Sequence, residues 1–508
     1  MRSLLITGGR VLDPLGELHR PPVMDILIED GKISAMGATA TLRGQTYETM
    51  DASGLLITPG FINAHCHSHD TLLRGLFEQT PLELWGLTAF PFHWSRRRAE
   101  EISVRTQLHA VECLRGGMTT IQDMVTLVDF DREHAEALAS AYADSGIEAL
   151  VAPQFSDLGG AAGIPFAADL FSGGTRLKLG SDVDPESVTS RLESLFDEVS
   201  AERLRWELGP VQPQICSDAL LKHVAAMAQE RQMKIFTHLY ETRSEAVLAR
   251  SLTHDGGSMV QRLRRVGLLT ERLTVAHGVW ITPSEIDVLA DTGVSLATNP
   301  VTNLKLMNGI APVNRYRSRG VNIGLGCDNS SASDAQSIFQ AMKLFALVWG
   351  MQAGADDRSA ATEAFSAATI GGAAAIGLAG TVGRVAPGFR ANLAFIDLSD
   401  PSWRPLNSAV RQLVYGETGR ALRHVMVQGK LLVTNGRMAS IDENRLCEDA
   451  ERLRAAMAKE LDQKLNPDKD VTQAYRAMLA KVETVSLEIN PRFLQDLPGT
   501  DRTEMRPS

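Results

Sequence analysis

Between residues 60 and 328 the chain alternates between apolar, strand-like runs and helical stretches, a pattern that few folds accommodate. Eight such runs are present, at residues 60–64, 119–124, 148–155, 206–213, 234–239, 273–279, 294–299 and 321–328. Strands separated by helices form a parallel sheet, and eight strand–helix units are typical of a closed α/β barrel of the (β/α)8, TIM type. We therefore predict such a barrel over residues 58–381, with catalytic side chains at the C-terminal ends of its strands.

The two ends of the chain predict a second, smaller unit. Short β-type runs with the tight-turn signals Asp30-Gly31 and Gly429-Lys430 occur before the barrel and again after it. Because neither region has a helical pattern, we predict one small β-sandwich domain built from residues 1–57 and 382–440. The alternative is two unrelated β patches.

Residues 441–508 have a helical pattern and are predicted to form a C-terminal helical extension. Its apolar residues recur at helical spacing at Leu446, Ala450, Leu453, Met457 and Leu461. Asn466-Pro467 is expected to end this helix, and a second one is predicted at about 472–484. Such a stripe must be buried, either on the chain's own barrel or on a neighbouring subunit, and the second alternative predicts a homo-oligomer.

Composition excludes several classes of partner. The net charge is −10, from 51 basic and 61 acidic residues, which predicts no nucleic-acid binding. No apolar run approaches the ~20 residues of a membrane span, and the N-terminus lacks the apolar core of a signal peptide. The five cysteines form no CxxC pair, which argues against a disulfide framework and a zinc ribbon. We expect a cytoplasmic protein whose partners are small molecules.

The run His65-Cys66-His67 ends the first predicted strand. Residues i and i+2 of a strand point to the same face, so both imidazoles are expected to project into the barrel. Cys66 is expected to point the other way, as a packing residue. Two histidines separated by one residue do not establish a metal site by themselves, because this pattern arises often by chance.

Other polar residues end later strands in the same way. His238 ends the fifth predicted strand with Glu241 three residues further on, His277 ends the sixth, and Asp328 ends the eighth. Any one of them has an ordinary explanation as a hydrogen-bonded core histidine or a helix-capping aspartate. Their shared placement points instead to one site, and imidazoles with a carboxylate suit Zn²⁺ or Fe²⁺ better than a thiolate site does.

With these residues in place, the sequence resembles the amidohydrolase superfamily. The resemblance is carried by residues 59–67, by the HxxE spacing of His238 and Glu241, and by the later His277 and Asp328. Residues 71–75 and 299–306 resemble its cytosine-deaminase-like branch, which includes S-adenosylhomocysteine, guanine and melamine deaminases and triazine hydrolases. The similarity extends over about residues 1–440.

The resemblance implies one divalent metal per chain, Zn²⁺ or Fe²⁺, held by His65, His67, His238 and Asp328. Asp328 would also accept a proton from the attacking water, and Glu241 would pass a proton to the ring nitrogen or the leaving group. His277 would orient the hydroxide and stabilise developing charge. Superfamily members with two metals carry a bridging lysine or glutamate at the end of the fourth strand. Residues 209–214 of this chain contain neither, so one metal is expected.

Five further residues are candidates for contact with the substrate. The adenosine-type deaminases that this chain resembles have Gly-Pro-His at the end of the fourth strand, whereas Val211 follows Gly-Pro here, which weighs against S-adenosylhomocysteine. Trp85 is a candidate for stacking on a flat heterocycle, with a core aromatic as the alternative. The remaining candidates are Gln154, Gln212, Asn303 and Lys305, with a solvated loop as the alternative for the last two.

These observations lead to one preferred function and two alternatives. The preferred function is an aminohydrolase that removes an amino group from an N-heteroaromatic small molecule such as a purine, pterin or triazine. The first alternative keeps the machinery but hydrolyses an amide, urea or carbamate C–N bond, or displaces a halide. The second is a catalytically inactive assembly module. This alternative is disfavoured because such proteins usually lose metal ligands, whereas this chain has all of the candidate ligands together with Glu241 and His277.

Overall fold

The computed structural model describes residues 3–37, 47–91, 94–170, 181–353 and 358–491. The first five strands are β1 (Leu4–Val11), β2 (Val23–Glu29), β3 (Lys32–Gly37), β4 (Glu48–Asp51) and β5 (Leu55–Pro59). Next come β6 (Phe61–His67), β7 (Met118–Asp123), β8 (Glu148–Val151), β9 (Gln154–Phe155), β10 (Leu204–Trp206), β11 (Gly209–Pro210), β12 (Ile235–Leu239), β13 (Leu273–His277), β14 (Ser295–Thr298), β15 (Asn322–Leu325) and β16 (Asp328–Asn329). The last four are β17 (Leu393–Asp397), β18 (Leu422–Val427), β19 (Lys430–Thr434) and β20 (Arg437–Met438).

The α-helices lie mainly between the barrel strands and in the C-terminal extension. The first ten are α1 (Leu82–Ala89), α2 (Ala99–Arg115), α3 (Arg132–Ser145), α4 (Ala167–Leu170), α5 (Pro185–Glu198), α6 (Asp218–Glu230), α7 (Arg243–Ala249), α8 (Met259–Arg265), α9 (Pro283–Asp291) and α10 (Pro300–Lys305). The others are α11 (Val313–Ser318), α12 (Ser330–Ser333), α13 (Ile338–Ala353), α14 (Ala360–Ala367), α15 (Ile370–Ala375), α16 (Ala409–Tyr415), α17 (Glu443–Ala456), α18 (Ala458–Leu465) and α19 (Lys469–Thr484).

The strands from β6 to β16 close into a ring. One parallel ladder has the order β10-β8-β7-β6-β16, and a second has the order β12-β13-β14-β15. On one side Leu208 joins the two ladders by pairing in parallel with Ile235. On the other side β16 continues from β15, and the backbone N–H of Cys327 donates to the carbonyl of His65 at 3.1 Å. The predicted (β/α)8 barrel is thus confirmed.

Each of the eight predicted runs corresponds to a barrel strand, although three are divided into two short pieces. The third run forms β8 and β9, the fourth β10 and β11, and the eighth β15 and β16. In the third, Pro153 lies between the pieces, and proline has no backbone N–H to donate to a neighbouring strand. The second piece of each divided strand lies toward the end of the barrel that carries the site.

Two buried layers hold the barrel together. The largest apolar cluster lies between the strands and the surrounding helices and includes Leu138 of α3 and Leu273 of β13. A separate buried cluster groups Ile62, Leu150, Phe236 and Ala297. Since these residues come from or adjoin four different barrel strands, this cluster lies inside the ring. It forms the floor beneath the polar residues at the strand ends.

The β segments from the two chain ends form one mixed sheet. Its order is β20-β19-β18-β17-β5-β1-β2-β3, with β4 paired to β1. The two halves meet where β17 pairs antiparallel with β5, with Ala394 opposite Thr58. This contact confirms that both ends build a single small β unit, rather than two unrelated patches. The domain boundaries at residues 57, 381 and 440 stay predictions.

The C-terminal helices bury their apolar stripe against this chain. Leu446 and Leu453 on α17 are buried, and Leu446 joins the main core cluster. Met457 and Leu461 pack with Leu73 and with partly buried residues that include Phe77 and Trp94. The stripe therefore does not need a neighbouring subunit to cover it, and the homo-oligomer stays a prediction without that support. Among the described residues, no helix has the length and apolar character needed to cross a membrane.

We expect Leu461→Ala to destabilise the protein because the Leu461 side chain is only 1% exposed. Loss of a buried leucine costs about 2–5 kcal/mol of unfolding free energy. Leu465→Ala is a matched control on the same helix, because Leu465 is 39% exposed, and such surface changes stay within about 0.5 kcal/mol. Urea denaturation followed by circular dichroism measures both. Equal midpoints for the two variants would show that α18 does not pack on the barrel.

Candidate metal centre

The residues predicted to bind metal converge at one end of the barrel. His65 and His67 end β6, His238 lies in β12, and Asp328 begins β16. All four side chains are buried, with the most exposed at 7%. The C-terminal ends of parallel barrel strands meet at one mouth. The fold therefore assembles residues that are up to 263 positions apart in the chain.

The candidate ligand atoms lie close enough to share one cation. The Nε2 atoms of His65 and His67 lie 3.6 Å and 3.3 Å from Oδ1 of Asp328. Nε2 of His67 lies 3.3 Å from Nε2 of His238. Within the described residues, ligand atoms of His65, His67 and His238 all lie within 4.8 Å of one another, and so do those of His65, His277 and Asp328. The donor set is nitrogen and oxygen, without a thiolate.

The ring orientations fit a cation at this position. Nδ1 of His238 donates to the carbonyl of Val211 at 2.7 Å, and Nδ1 of His67 donates to the carbonyl of Met124. Each contact places the proton on Nδ1 and leaves the Nε2 lone pair facing the centre, as in histidines that ligate metals. Nε2 of His65 is buried without a hydrogen-bond partner among the described residues, an arrangement that costs free energy unless something binds it.

Burial keeps two of the histidine candidates neutral. Burial lowers the pKa of His65 to about 4. Burial also lowers the pKa of His238 well below its usual value, and the neighbouring histidines lower it further. Both rings are therefore neutral near pH 7, and a neutral imidazole has a lone pair available for a metal. The residues present thus fit a divalent cation.

Two carboxyl groups flank His277 beside this centre. Nε2 of His277 lies 3.5 Å from Oε2 of Glu241 and 3.7 Å from Oδ2 of Asp328. Burial raises the pKa of Glu241 well above its usual value, and the charge of Asp328 raises it further. Burial alone would raise the pKa of Asp328 too, but the neighbouring His277, His65 and His67 hold it well below its usual value. The pKa values of the two carboxyl groups are thus moved in opposite directions, a division typical of acid–base pairs.

Buried amides hold the reactive side chains in place. Nδ1 of His277 donates to Oδ1 of Asn303 at 2.9 Å, which turns its Nε2 toward the two carboxyl groups. Nδ2 of Asn308 donates to Oε1 of Glu241 at 2.7 Å. Nε2 of Gln336 donates to the backbone carbonyl of Asp328 at 2.7 Å. Asn308 and Gln336 were not predicted from the sequence, because nothing local marks an amide that contacts a residue from another strand.

The backbone at the strand ends adopts an uncommon conformation. Tyr240, His277 and Asp328 have φ values of 51°, 73° and 61°. Positive φ is unfavourable for residues other than glycine, and such residues cluster at functional sites. The hydrogen bonds from Gly278 N–H to the Leu239 carbonyl and from Trp280 N–H to the Tyr240 carbonyl hold two of these turns. The sharp turns direct the side chains that follow the strands across the mouth.

Three of the predicted substrate residues contact side chains of the site or of its immediate surroundings. Nε2 of Gln154 lies 3.2 Å from Nδ1 of His67. Asn303 is buried against His277, as described above, so it contacts a catalytic candidate in this structure. Nε2 of Gln212 donates to Oε1 of Glu245 at 3.2 Å.

The other two predicted substrate residues lie along one side of the mouth. Trp85 of α1 is 2% exposed, and its Nε1 donates to Oγ of Ser331, three residues after Asp328, at 3.1 Å. Lys305 forms an ion pair with Asp334. Lys305 is thus directed to the loop after α12 rather than toward the histidines.

Glu245 is a further buried carboxyl group that the sequence interpretation missed. It accepts the backbone N–H of Glu241 at 2.9 Å, one helical turn away. Burial raises its pKa to about 8, with a further contribution from the neighbouring Glu241 carboxyl group. The sequence did offer one sign of this contact. Glu245 follows Glu241 by four positions, a spacing that places the two residues on one side of the turn into α7.

Comparison with known proteins gives a consistent picture. The Amidohydrolase family model matches residues 56–432. A 5-methylthioadenosine/S-adenosylhomocysteine deaminase of Thermococcus kodakarensis is 32% identical, over 85% of this chain and 94% of that protein. A 5'-deoxyadenosine deaminase of Methanothermobacter thermautotrophicus is 31% identical, over 90% of this chain and 99% of that protein.

A search of solved structures also finds a deaminase with a similar fold. The crystal structure of an adenosine deaminase from Xanthomonas campestris with bound zinc superimposes with a TM-score of 0.78 at 26% identity. The superposition covers 90% of this chain and 99% of that one. The family model spans more than half of the chain and contains every candidate ligand described above. The chain therefore belongs to the amidohydrolase family, and it is a metal-dependent hydrolase that acts on carbon–nitrogen bonds.

Proposed function

We propose that this hydrolase removes an amino group from an N-heteroaromatic small molecule. The observation that carries the proposal is the pair of carboxyl groups that flank Nε2 of His277, Glu241 at 3.5 Å and Asp328 at 3.7 Å. The pKa of Glu241 is raised and that of Asp328 is lowered. Hydrolysis of an amino-substituted ring needs a group that protonates a ring nitrogen and a group that accepts a proton from water. The relatives named as deaminases support the same reaction class.

The residues proposed to hold the metal are His65, His67, His238 and Asp328, with one Zn²⁺ or Fe²⁺ per chain. A cation held there lowers the pKa of a water ligand, so that hydroxide is available at neutral pH. The end of β11 at Gly209–Pro210 is followed by Val211 and Gln212, without a lysine or glutamate to bridge a second metal. This absence supports a single ion.

Each of the three catalytic candidates has a distinct proposed role. Asp328 accepts a proton from the attacking water, because its low pKa keeps it charged. Glu241 donates its proton to the ring nitrogen as water adds. It then takes up the proton of the new hydroxyl group and passes it to the departing amino group, and the proton held by Asp328 returns to Glu241 to restore the acid. His277 lies between them, with Nε2 directed at the reacting atoms by Asn303, and stabilises the charge that develops as water adds.

We propose that the substrate ring lies toward α1 and the loop after β16. Trp85 packs edge-on against Phe77 and Phe90 and is anchored to Ser331, so it forms a rigid aromatic wall near Asp328. Gln154, beside His67, and Gln212, beside Glu245, offer further amide groups. Val211 offers no imidazole to a nucleoside, which favours a substrate recognised through its ring rather than through a contact at this position.

The experiment is a measurement of ammonia release from a panel of aminated heterocycles. The panel contains 5'-deoxyadenosine, 5'-methylthioadenosine, S-adenosylhomocysteine, guanine, an aminopterin-type ring and melamine. We expect at least one compound to reach a kcat/KM in the ordinary enzymatic range of about 10⁴ M⁻¹s⁻¹ or more. The Glu241→Gln protein, purified in the same way, controls for contaminating deaminases.

The alternative reactions give different results in the same assay. A parallel panel of amides, ureas, carbamates and halogenated triazines tests hydrolysis of other bonds and halide release. Turnover on that panel without ammonia release from any heterocycle would contradict deamination while keeping the hydrolase.

A further inference from the structure

The C-terminal helix α19 contacts the segment that follows the proposed acid Glu241. Arg243 begins α7, two residues after Glu241. Its Nε donates to the carbonyl of Val482 at 3.3 Å, and its Nη2 donates to the carbonyl of Val485 at 2.6 Å. A helix leaves its last carbonyls without partners inside the helix, and a cation is favourable at that end. Arg243 therefore links the turn that carries Glu241 to the end of α19.

Apolar packing reinforces this link. Met478 and Val482 of α19 are each 1% exposed and pack in one cluster with Val247 of α7. The Arg243 guanidinium lies over the ring of Trp280, with its Cζ 5.2 Å from the ring centroid. Helix α7 is thus held against α19 on one side and against the turn after β13 on the other.

The residues that follow α19 contact the loop at residues 308–310, which contains the hydrogen-bond partner of Glu241. The carbonyl of Pro491 accepts the backbone N–H of Ile310 at 2.8 Å. Gly309 lies directly against it, because a Cβ built there would be 3.1 Å from the Pro491 carbonyl oxygen. Asn308, the preceding residue, donates its amide to Oε1 of Glu241, and its own carbonyl accepts Nε1–H of Trp280 at 2.7 Å.

The hydrogen bond from Asn308 to Oε1 of Glu241 favours one oxygen of that carboxyl group as the site of the proton. The carbonyl oxygen of a neutral carboxylic acid accepts an amide N–H more strongly than its hydroxyl oxygen does, so the contact favours Oε1 as the unprotonated oxygen. The proton is then placed on Oε2, the oxygen that lies 3.5 Å from Nε2 of His277. Without Asn308, the carboxyl group is free to rotate and to present either oxygen.

We propose that residues 469–491 and Asn308 position the Glu241 carboxyl group for proton transfer, with Arg243 as the connection to the tail. Asn308 and Arg243 are positioning residues that act through Glu241. This inference rests on the proposed acid role of Glu241. It goes beyond the family relationship, because residues 469–491 lie outside the part of the chain that the family model matches.

The test is a set of double-mutant cycles. Asn308→Ala and Arg243→Ala are each made in the wild-type chain and in Glu241→Gln, with Arg476→Ala as the control, because Arg476 is an exposed residue of the same tail helix. The readouts are kcat and KM on the best compound of the ammonia panel, metal content, and melting temperature. Arg243→Lys is included because it keeps the charge and one donor if the alanine variant does not fold.

We expect Asn308→Ala to lower kcat by about 10–100-fold, since misplacement of a catalytic group by about 1 Å costs up to about 10²-fold. KM and metal content are expected to stay unchanged. Arg243→Ala is expected to lower kcat by a smaller factor, with partial rescue in Arg243→Lys, and Arg476→Ala is expected to match wild type. In the Glu241→Gln background neither substitution should lower the residual rate further, because the acid that they position is absent.

A spectroscopic readout is independent of turnover. The infrared carbonyl band of the protonated Glu241 carboxyl group is identified by difference from Glu241→Gln, and Asn308→Ala should shift it to higher wavenumber because a hydrogen bond to Oε1 is lost. An unshifted band, or an equal loss of kcat in both backgrounds, would overturn the positioning role while leaving deamination intact. Normal turnover of Glu241→Gln itself would overturn the acid role of Glu241 and with it the positioning role, while the observed ammonia release would still support deamination.

Discussion

Replacing Glu241 with glutamine is expected to lower kcat by about 10²–10⁴-fold, the usual contribution of general acid–base catalysis. The substitution keeps the side-chain length and lets the residue accept the hydrogen bond from Asn308. An amide cannot donate and recover a proton as a carboxylic acid does. The loss should therefore appear in kcat, while KM changes little.

Metal content is the decisive companion measurement for this variant. Glu241 is not among the proposed ligands, so Glu241→Gln should bind the same amount of metal as the wild-type protein. Glu230→Gln makes the same chemical change at an exposed position on α6 and should keep full activity. Turnover of Glu241→Gln within a few-fold of wild type on the true substrate would show that another group carries the proton.

Removing the metal is expected to abolish turnover. Dialysis against a chelator should give inactive protein, and activity should return in proportion to added Zn²⁺ or Fe²⁺ until one ion is bound per chain. His238→Ala should give the same loss, because it removes a ligand whose orientation is set by the Val211 carbonyl. Elemental analysis alongside a turnover assay measures both effects.

The control for the ligand substitution is His254→Ala. His254 is exposed and lies outside the candidate site, so its removal should leave metal content and turnover unchanged. Two tightly bound ions per chain, or full activity with no metal, would contradict the proposed centre. Elemental analysis also distinguishes zinc from iron in protein purified without a chelator.

The barrel and the positions of the metal candidates follow from local patterns. Alternation of strand-like and helical segments predicts a parallel barrel, and the rule that polar residues at strand ends meet at one mouth predicts that His65, His238 and Asp328 approach one another. The structure brings these residues together. Local periodicity is enough here because every strand of the barrel contributes its C-terminal end to the same place.

The residues that orient the catalytic groups could not be predicted in this way. Asn308 is 67 positions from Glu241, and Gln336 is 273 positions from Asn63, whose Nδ2 donates to it at 3.0 Å. Asn303 and Lys305 follow the same strand, yet one contacts His277 and the other pairs with Asp334. Which way a side chain points after a strand depends on the turn and on packing against distant loops.

The C-terminal extension shows the same division. The sequence by itself determined that the tail carries an apolar face, because Leu446, Leu453 and Leu461 recur at helical spacing. Only the tertiary structure decided what covers that face, namely this chain's own barrel, and that the segment ending at Pro491 reaches the loop beside Glu241. Helical periodicity is a local property, whereas the surface that buries a helix depends on contacts between residues hundreds of positions apart.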